Sequence, residues 1–169
     1  MLFRSRKHDD GSLVEFRILR DKRELTVRIK PKQIDGKPRV GVSLGLGYEF
    51  PFTINLRVDP QVGGPSAGLM FSLAIYDTLT PGSMTGGATV AGTGELAPDG
   101  TVGPIGGIEQ KIAGAEAAGA KLFFVPKDNC ADVKGLHPDL RLVKATTMHE
   151  ARLALDKWVG DHDAALPTC

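Results

Sequence analysis

The sequence predicts an α+β domain of two packed layers, with mixed sheets and helices laid against them. Three observations carry that expectation. The first third alternates apolar and polar residues in period two, the spacing becomes helical at Pro65, and beyond it helices and strands interleave. At 169 residues the chain is long enough for a domain with a substantial core.

The elements follow in order. "LVEFRIL" (Leu13 to Leu19) and "LTVRIK" (Leu25 to Lys30) read as strands joined by the polar turn "RDKRE". "IDGKP" (Ile34 to Pro38) is a turn signal and an expected unit boundary, and the strands "RVGVSLG" and "FTINLRV" follow it. Pro65 opens a helix, "SAGLMFSLAIYDTL", that is apolar on nearly every face and so is expected at the centre of the fold. "ATVAGTGEL" and "TVGPI" read as strands around the turn "APDG". A second helix, "GGIEQKIAGAEAAGA", closes on Gly119 as a C-terminal cap. "KLFFVP" is a buried strand, "KDNCADV" a short helix, and "DLRLVKA" a further strand. The last helix, "TMHEARLALDKWV", carries Met148, Ala151, Leu155 and Trp158 at helical spacing, which assigns Trp158 to the core.

Composition narrows the function classes. A net charge of +1 leaves no electrostatic footprint for nucleic acid or anionic lipid, and "RSRK" near the start reads as a solvated end. No run of about 20 apolar residues and no signal-peptide pattern occurs, so no membrane contact is expected from this chain itself. Cys130 and Cys169 set no disulfide framework, and Cys169, the last residue, is expected to be mobile. Cys130 and His137 are two ligands seven positions apart, too few for a metal site. The 21 glycines crowd between Gly41 and Gly119, where tight turns or close backbone approach would serve a site.

Chemistry centres on "GPSAG", a G-x-S-x-G pattern around Ser66. A hydrolase nucleophile elbow requires several strand–helix units and an oxyanion loop before its serine, then an acid and a histidine. Here mostly strands precede Ser66, and His137, His149 and His162 lie in a surface-like turn or on or after the polar face of the last helix. A lysine is the other base a serine can use. Its ordinary pKa of about 10.4 must fall to about 7–8, a cost of about 4 kcal/mol to the charged form, which burial can supply. Lys111 fits that requirement. On its helix Ile108, Ile112, Ala115 and Gly119 form one stripe, and Lys111 falls about 60° from Ile108 at about 100° per residue. The competing reading is that Lys111 snorkels to water at the stripe's edge. Lys121 opens a strand, while Lys127, Lys134 and Lys157 have solvated settings.

Taken together, "GGPSAGLMFSLAIYDTLT" and "VAGTGELAPDGTVGPIGGIEQKIAGAEAAGAKLFFVPKDN" resemble the proteolytic domain of the Lon proteases. Four ordered blocks carry the resemblance from about Val40 to Trp158: G-P-S-A-G, T-G-E, P-I-G-G-I-x-x-K and V-P-K-D-N. It implies a two-layer fold like domain 2 of ribosomal protein S5. It also implies a serine endopeptidase with Ser66 as nucleophile and Lys111, 45 positions later, as general base. Thr93 would help hold the lysine amine, and backbone N–H groups of Ser66 and Ala67 would meet the oxyanion at a helix N-terminus. The resemblance implies no metal or organic cofactor, unfolded or flexible polypeptides as substrates, and a homo-oligomeric ring.

Departures from the family refine this expectation. Gly63 stands where many relatives have an acidic residue, and no Walker sequence occurs, so activity would be ATP-independent. "SLVEFRILRDKRELTVRIKP" looks like the end of a PDZ domain, as in the bacterial PDZ–Lon proteins, and the chain reads as a fragment of such a protein. Full-length proteins of that type are typically membrane-anchored, with the protease outside the cytoplasm. The expected domains are 1–34, PDZ-like strands; 35–160, the proteolytic domain; and 161–169, a flexible tail. Two rivals stay open: a catalytically silent binding or scaffold module on the same fold, and a phosphate binder using the Gly-rich helix start.

Overall fold

The computed structural model describes residues 12–42, 48, 50–55, 57 and 64–169. The chain divides into two compact units, Met1–Pro51 and Phe52–Cys169. The basic "RSRK" lies outside the described residues.

The first unit holds two hairpins. Strand β1 (Val14–Arg20) pairs antiparallel with β2 (Arg23–Ile29), and β3 (Lys32–Ile34) with β4 (Lys37–Arg39). Both turns are two residues long with positive φ throughout: 51° and 61° at Asp21 and Lys22, 53° and 69° at Asp35 and Gly36. That geometry matches the right-handed twist of the strands it joins. "IDGKP", expected as a boundary, is therefore the inside of a hairpin, and the division between units falls after Pro51. The expected strand "RVGVSLG" keeps only Arg39, in β4, and residues 43–47 lie outside the described set. In "FTINLRV", the described residues 52–55 are not in a strand.

The second unit begins with a 3-10 turn, Pro65–Ala67, that runs into helix α1 (Gly68–Leu79). Strands β5 (Val90–Gly92), β6 (Glu95–Leu96) and β7 (Val102–Gly103) lead to helix α2 (Ile108–Ala117). Strand β8 (Leu122–Pro126), a 3-10 turn at Lys127–Asn129, β9 (Arg141–Ala145) and helix α3 (Met148–Gly160) complete it. Strands β5, β8 and β9 form one parallel sheet in that order, while β6 and β7 form an antiparallel pair. The helices, the small sheets and the mixed pairing agree with the α+β class.

Strand β8 organises the packing because all five of its residues are buried. Its side chains alternate between faces. Leu122 and Phe124 join Leu69 and Leu73 of α1 and Leu155 and Trp158 of α3 in one core. Phe123 and Val125 join Ile108 and Ile112 of α2 in another. Helices thus cover both faces of the parallel sheet. A continuous apolar strand requires this, since either face left to water would expose bulky side chains. Trp158 is in the core, as its spacing on α3 implies.

Two elements differ from expectation in instructive ways. Helix α1 buries Leu69 and Leu73, while Tyr76 and Leu79 are exposed, so it is packed on one side rather than central. The run "ATVAGTGEL" is two strands, because Thr93 and Gly94 break it and send β5 and β6 into different sheets. The helix ends follow their chemistry. Gly119, at φ 79°, and Ala120 donate to the carbonyls of Glu116 and Ala115, which closes α2 with paired left-handed-cap bonds. Thr147 caps α3 by accepting from the Glu150 N–H at 3.1 Å.

The expectation of unpaired cysteines and a mobile tail is overturned. Cys130 and Cys169 form a disulfide with Cα atoms 5.1 Å apart. Between them Ala164 and Leu166 are buried, and the Lys144 N–H donates to the Pro167 carbonyl at 2.9 Å. The Arg141 guanidinium donates to the carbonyls of His162 and Ala164, and Lys157 donates to that of Ala165. Two lone cysteines 39 positions apart carry no pairing signal until the fold brings them together. Closing a loop of that length restricts the unfolded chain, so reduction is expected to lower stability by about 2–4 kcal/mol. Urea unfolding with and without reductant measures this, and unchanged midpoints would show that the bond contributes nothing.

Candidate active site

Ser66 is the middle residue of the 3-10 turn before α1. Gly64 precedes it at φ 87°, a conformation that side chains rarely adopt, and Pro65 begins the turn without needing an N–H partner. Gly68 permits close approach to β6: a Cβ there would lie 3.0 Å from the Leu96 backbone nitrogen. The segment between β5 and β6 then fastens the serine. The Gly94 N–H and the Thr93 hydroxyl both donate to the Ser66 carbonyl, at 2.8 and 2.9 Å. The Leu69 N–H donates to the Gly94 carbonyl at 3.1 Å, and the Thr93 N–H to the Phe124 carbonyl of β8 at 3.2 Å. Ser66 is therefore tied through two residues to the centre of the sheet.

Lys111 reaches the site from α2. That helix starts at Gly107, left-handed at φ 68°, and its apolar side is anchored by buried Ile108 and Ile112. Lys111 is half-buried, and its Nζ lies 3.0 Å from the Ser66 Oγ, within hydrogen-bond reach. An amine and a hydroxyl at that separation can pass a proton either way. An alcohol so placed at the start of a helix can attack a carbonyl while its proton leaves along the same line.

The other expected site residues divide. Thr93 is buried, and the hydrogen bond that it makes goes to the Ser66 backbone instead of the lysine amine. It therefore supports the serine's side of the pair. Ser66 and Ala67 stand in the turn that leads α1, the end where backbone N–H groups and the helix field favour an anion. His137, His149 and His162 are exposed, and the His162 ring lies tilted against Trp158 with centroids 4.5 Å apart. Gly63 lies outside the described residues. Among the described residues no cluster of three metal-ligating side chains occurs.

Beside the serine a cleft of about 270 Å³ is lined by Pro65, Glu95, Leu96, Ala97, Thr101 and Gly103. The β6–β7 hairpin forms one wall. At its turn, hydrogen bonds from the backbone and side chain of Thr101 hold the Asp99 carboxyl below its usual range.

Two participants were not legible beforehand. Gly94 supplies a backbone link to the serine turn and another to the start of α1, yet a glycine in a strand-like run gives only a hint of a close approach. Asn129 is buried, and its carboxamide grips the backbone of Ile105 ahead of α2. A polar residue at the end of the short turn that follows a wholly buried strand was the available signal.

The family model of the Lon protease (S16) C-terminal proteolytic domain matches residues 60–153, more than half of the chain. The Lon protease of Metamycoplasma arthritidis is 44% identical over 69 residues, 41% of this chain and 8% of that protein. Lon protease 1 of Sorangium cellulosum is 40% identical over 78 residues, 46% of this chain and 9% of that protein. The Lon protease of Chloroflexus aggregans is 36% identical over 98 residues, 55% of this chain and 12% of that protein. The matched segments span about a tenth of these relatives' length. The matched region contains the serine turn, the β6–β7 hairpin and the lysine helix, and the chain belongs to the family of Lon protease C-terminal proteolytic domains.

Proposed function

We propose that this chain is an ATP-independent serine endopeptidase that hydrolyses peptide bonds with a Ser66–Lys111 dyad. The observation that carries the proposal is the 3.0 Å approach of Nζ to Oγ from separate elements of the fold. Ser66 Oγ attacks the scissile carbonyl carbon, and its proton passes to neutral Lys111. Backbone N–H groups at Ser66 and Ala67 receive the oxyanion. Collapse breaks the C–N bond, the lysine ammonium protonates the departing amine, and an acyl-enzyme remains. A water gives its proton to Nζ and attacks the ester carbonyl; the C–Oγ bond then breaks, Nζ returns the proton to Oγ, and the acid leaves with Ser66 and Lys111 restored. No step calls for a metal or an organic cofactor.

The substrate is an unfolded or flexible polypeptide, since a peptide must lie extended along the β6–β7 wall to reach Ser66. The cleft of about 270 Å³ takes one of its side chains. We place the chain in the PDZ–Lon type. The N-terminal hairpins are the end of a PDZ-like unit, whose remainder would cover Leu19 and Leu25, now 69% and 42% exposed. The working form is a homo-oligomeric ring, and the full-length protein is membrane-anchored with this domain outside the cytoplasm. The disulfide supports that location, because such bonds persist in oxidising compartments. Among the described residues no helix is long and apolar enough to cross a membrane.

The test is hydrolysis of a fluorogenic peptide and of an unfolded protein without nucleotide. Wild type is expected to be active and Ser66→Ala inactive. Full dependence on added ATP would refute ATP-independence, and hydrolysis surviving in Ser66→Ala would refute the nucleophile.

A further inference from the structure

We propose that Asn129 is a positioning residue of the hydrolytic site: through the backbone of Ile105 it sets where α2 begins, and so holds the Lys111 amine at Ser66. The inference rests on the dyad reading above and extends it to a residue that touches neither reacting group.

The geometry is specific. The Asn129 Oδ1 accepts from the Ile105 N–H at 2.9 Å, and its Nδ2 donates to the Ile105 carbonyl at 2.9 Å. One carboxamide thus serves both backbone groups of one residue. The second Nδ2 proton goes to the Asp132 Oδ2 at 2.8 Å, which fixes the amide's sense. A reversed amide would turn its oxygen toward that carboxylate and its NH2 toward the Ile105 N–H, unfavourable on both sides. Asn129 is only 4% exposed, and a polar side chain so buried is tolerated because its groups are paired.

What lies beyond Ile105 makes this grip consequential. Gly106 and Gly107 come next, and Gly107 is left-handed at φ 68°. Two glycines give a hinge with little restraint of its own. Lys111 is in the first turn of the helix that follows, on a helix with no side-chain cap at its start. The start of α2 is therefore held by Asn129 at Ile105 and by the burial of Ile108 and Ile112. Burial is non-directional and tolerates small slides, whereas a two-point hydrogen bond does not. Displacing a reacting group by about 1 Å can cost about 100-fold in rate.

The test is steady-state hydrolysis of a fluorogenic peptide by the full chain, with thermal unfolding of each variant. Asn129→Asp replaces the NH2 by oxygen, which removes the donor to Ile105 and sets two carboxylates against each other. It is expected to lower kcat about 10- to 100-fold while KM stays within about twofold, since the substrate does not touch this residue. Should that variant fold poorly, exposed Asp132 carries the test. Asp132→Ala is expected to lower kcat about 3- to 10-fold, and Asp132→Asn, which keeps an acceptor for Nδ2, to restore it. A role in stability alone predicts lower unfolding midpoints with wild-type kcat per folded molecule, and that result would overturn the inference. Ser66→Ala runs in the same assay. If it retains hydrolysis, the dyad reading falls and this inference with it; if it is inactive while the Asn129 and Asp132 variants keep wild-type kcat, this inference falls alone.

Discussion

Lys111→Met is expected to reduce kcat on the order of 1,000-fold while leaving the fold intact. Methionine keeps an unbranched stem of similar reach, so the packing around Ile108 and Ile112 is retained. It cannot accept the proton that Ser66 must lose, and positioned proton transfer contributes about 100- to 10,000-fold. Lys111→Arg separates the base from the charge. A guanidinium stays protonated in proteins, so this variant supplies a cation at the position of Nζ but no base, and it too is expected to be inactive. The double variant Ser66→Ala/Lys111→Met is expected to be no slower than either single one, because groups that act as a unit lose their effect together. The measurement is initial rates on one peptide, with thermal midpoints within a few degrees of wild type. Activity in Lys111→Arg above about a tenth of wild type would assign the base elsewhere.

Gly94→Ala is expected to be the most damaging single methyl group in the second unit. A Cβ there would lie 2.5 Å from the Val102 Cγ1, with the Leu69 side chain in ordinary contact on its other side at 3.5 Å. Both neighbours are buried in the core shared by α1, β8 and α3, so neither can swing into solvent. Overpacking of this kind costs about 1–3 kcal/mol. Moving Gly94 to relieve it would stretch the bonds to the Ser66 carbonyl and from the Leu69 N–H. Stability and activity should therefore fall together, with a thermal midpoint lower by roughly 6–12 °C for about 3 kcal/mol in a domain of this size. Val102→Ala removes the clashing methyl. The pair Gly94→Ala/Val102→Ala is expected to be less destabilised than the sum of its parts, a coupling that a double-mutant cycle reads directly. Simple additivity would mean that the contact at Val102 is not the cause.

Much of the fold was legible because it depends on neighbours in the chain. The alternation in Val14–Arg20 and Arg23–Ile29, the buried run Leu122–Pro126 and the helical spacing of Ala151, Leu155 and Trp158 each became the element expected. Errors arose where a segment's fate depends on a distant one. "ATVAGTGEL" reads as one strand, but Thr93 and Gly94 are taken out of register to hold the serine turn. The uniformly apolar α1 reads as central, but apolar composition does not say how many sides the chain itself will cover.

For the site, the sequence alone determined the chemistry on offer. It held a serine at a glycine-rich helix start, a lysine near an apolar stripe 45 positions later, and histidines in settings that suit solvent. Tertiary structure decided which groups meet. It set Nζ 3.0 Å from Oγ, turned Thr93 to the serine's carbonyl, closed Cys130 onto Cys169, and placed Asn129 across Ile105. The physical reason is range. Periodicity and capping act over a few residues, whereas each of these contacts closes a loop of 24 to 45 residues and forms only once the sheet and its helices have packed.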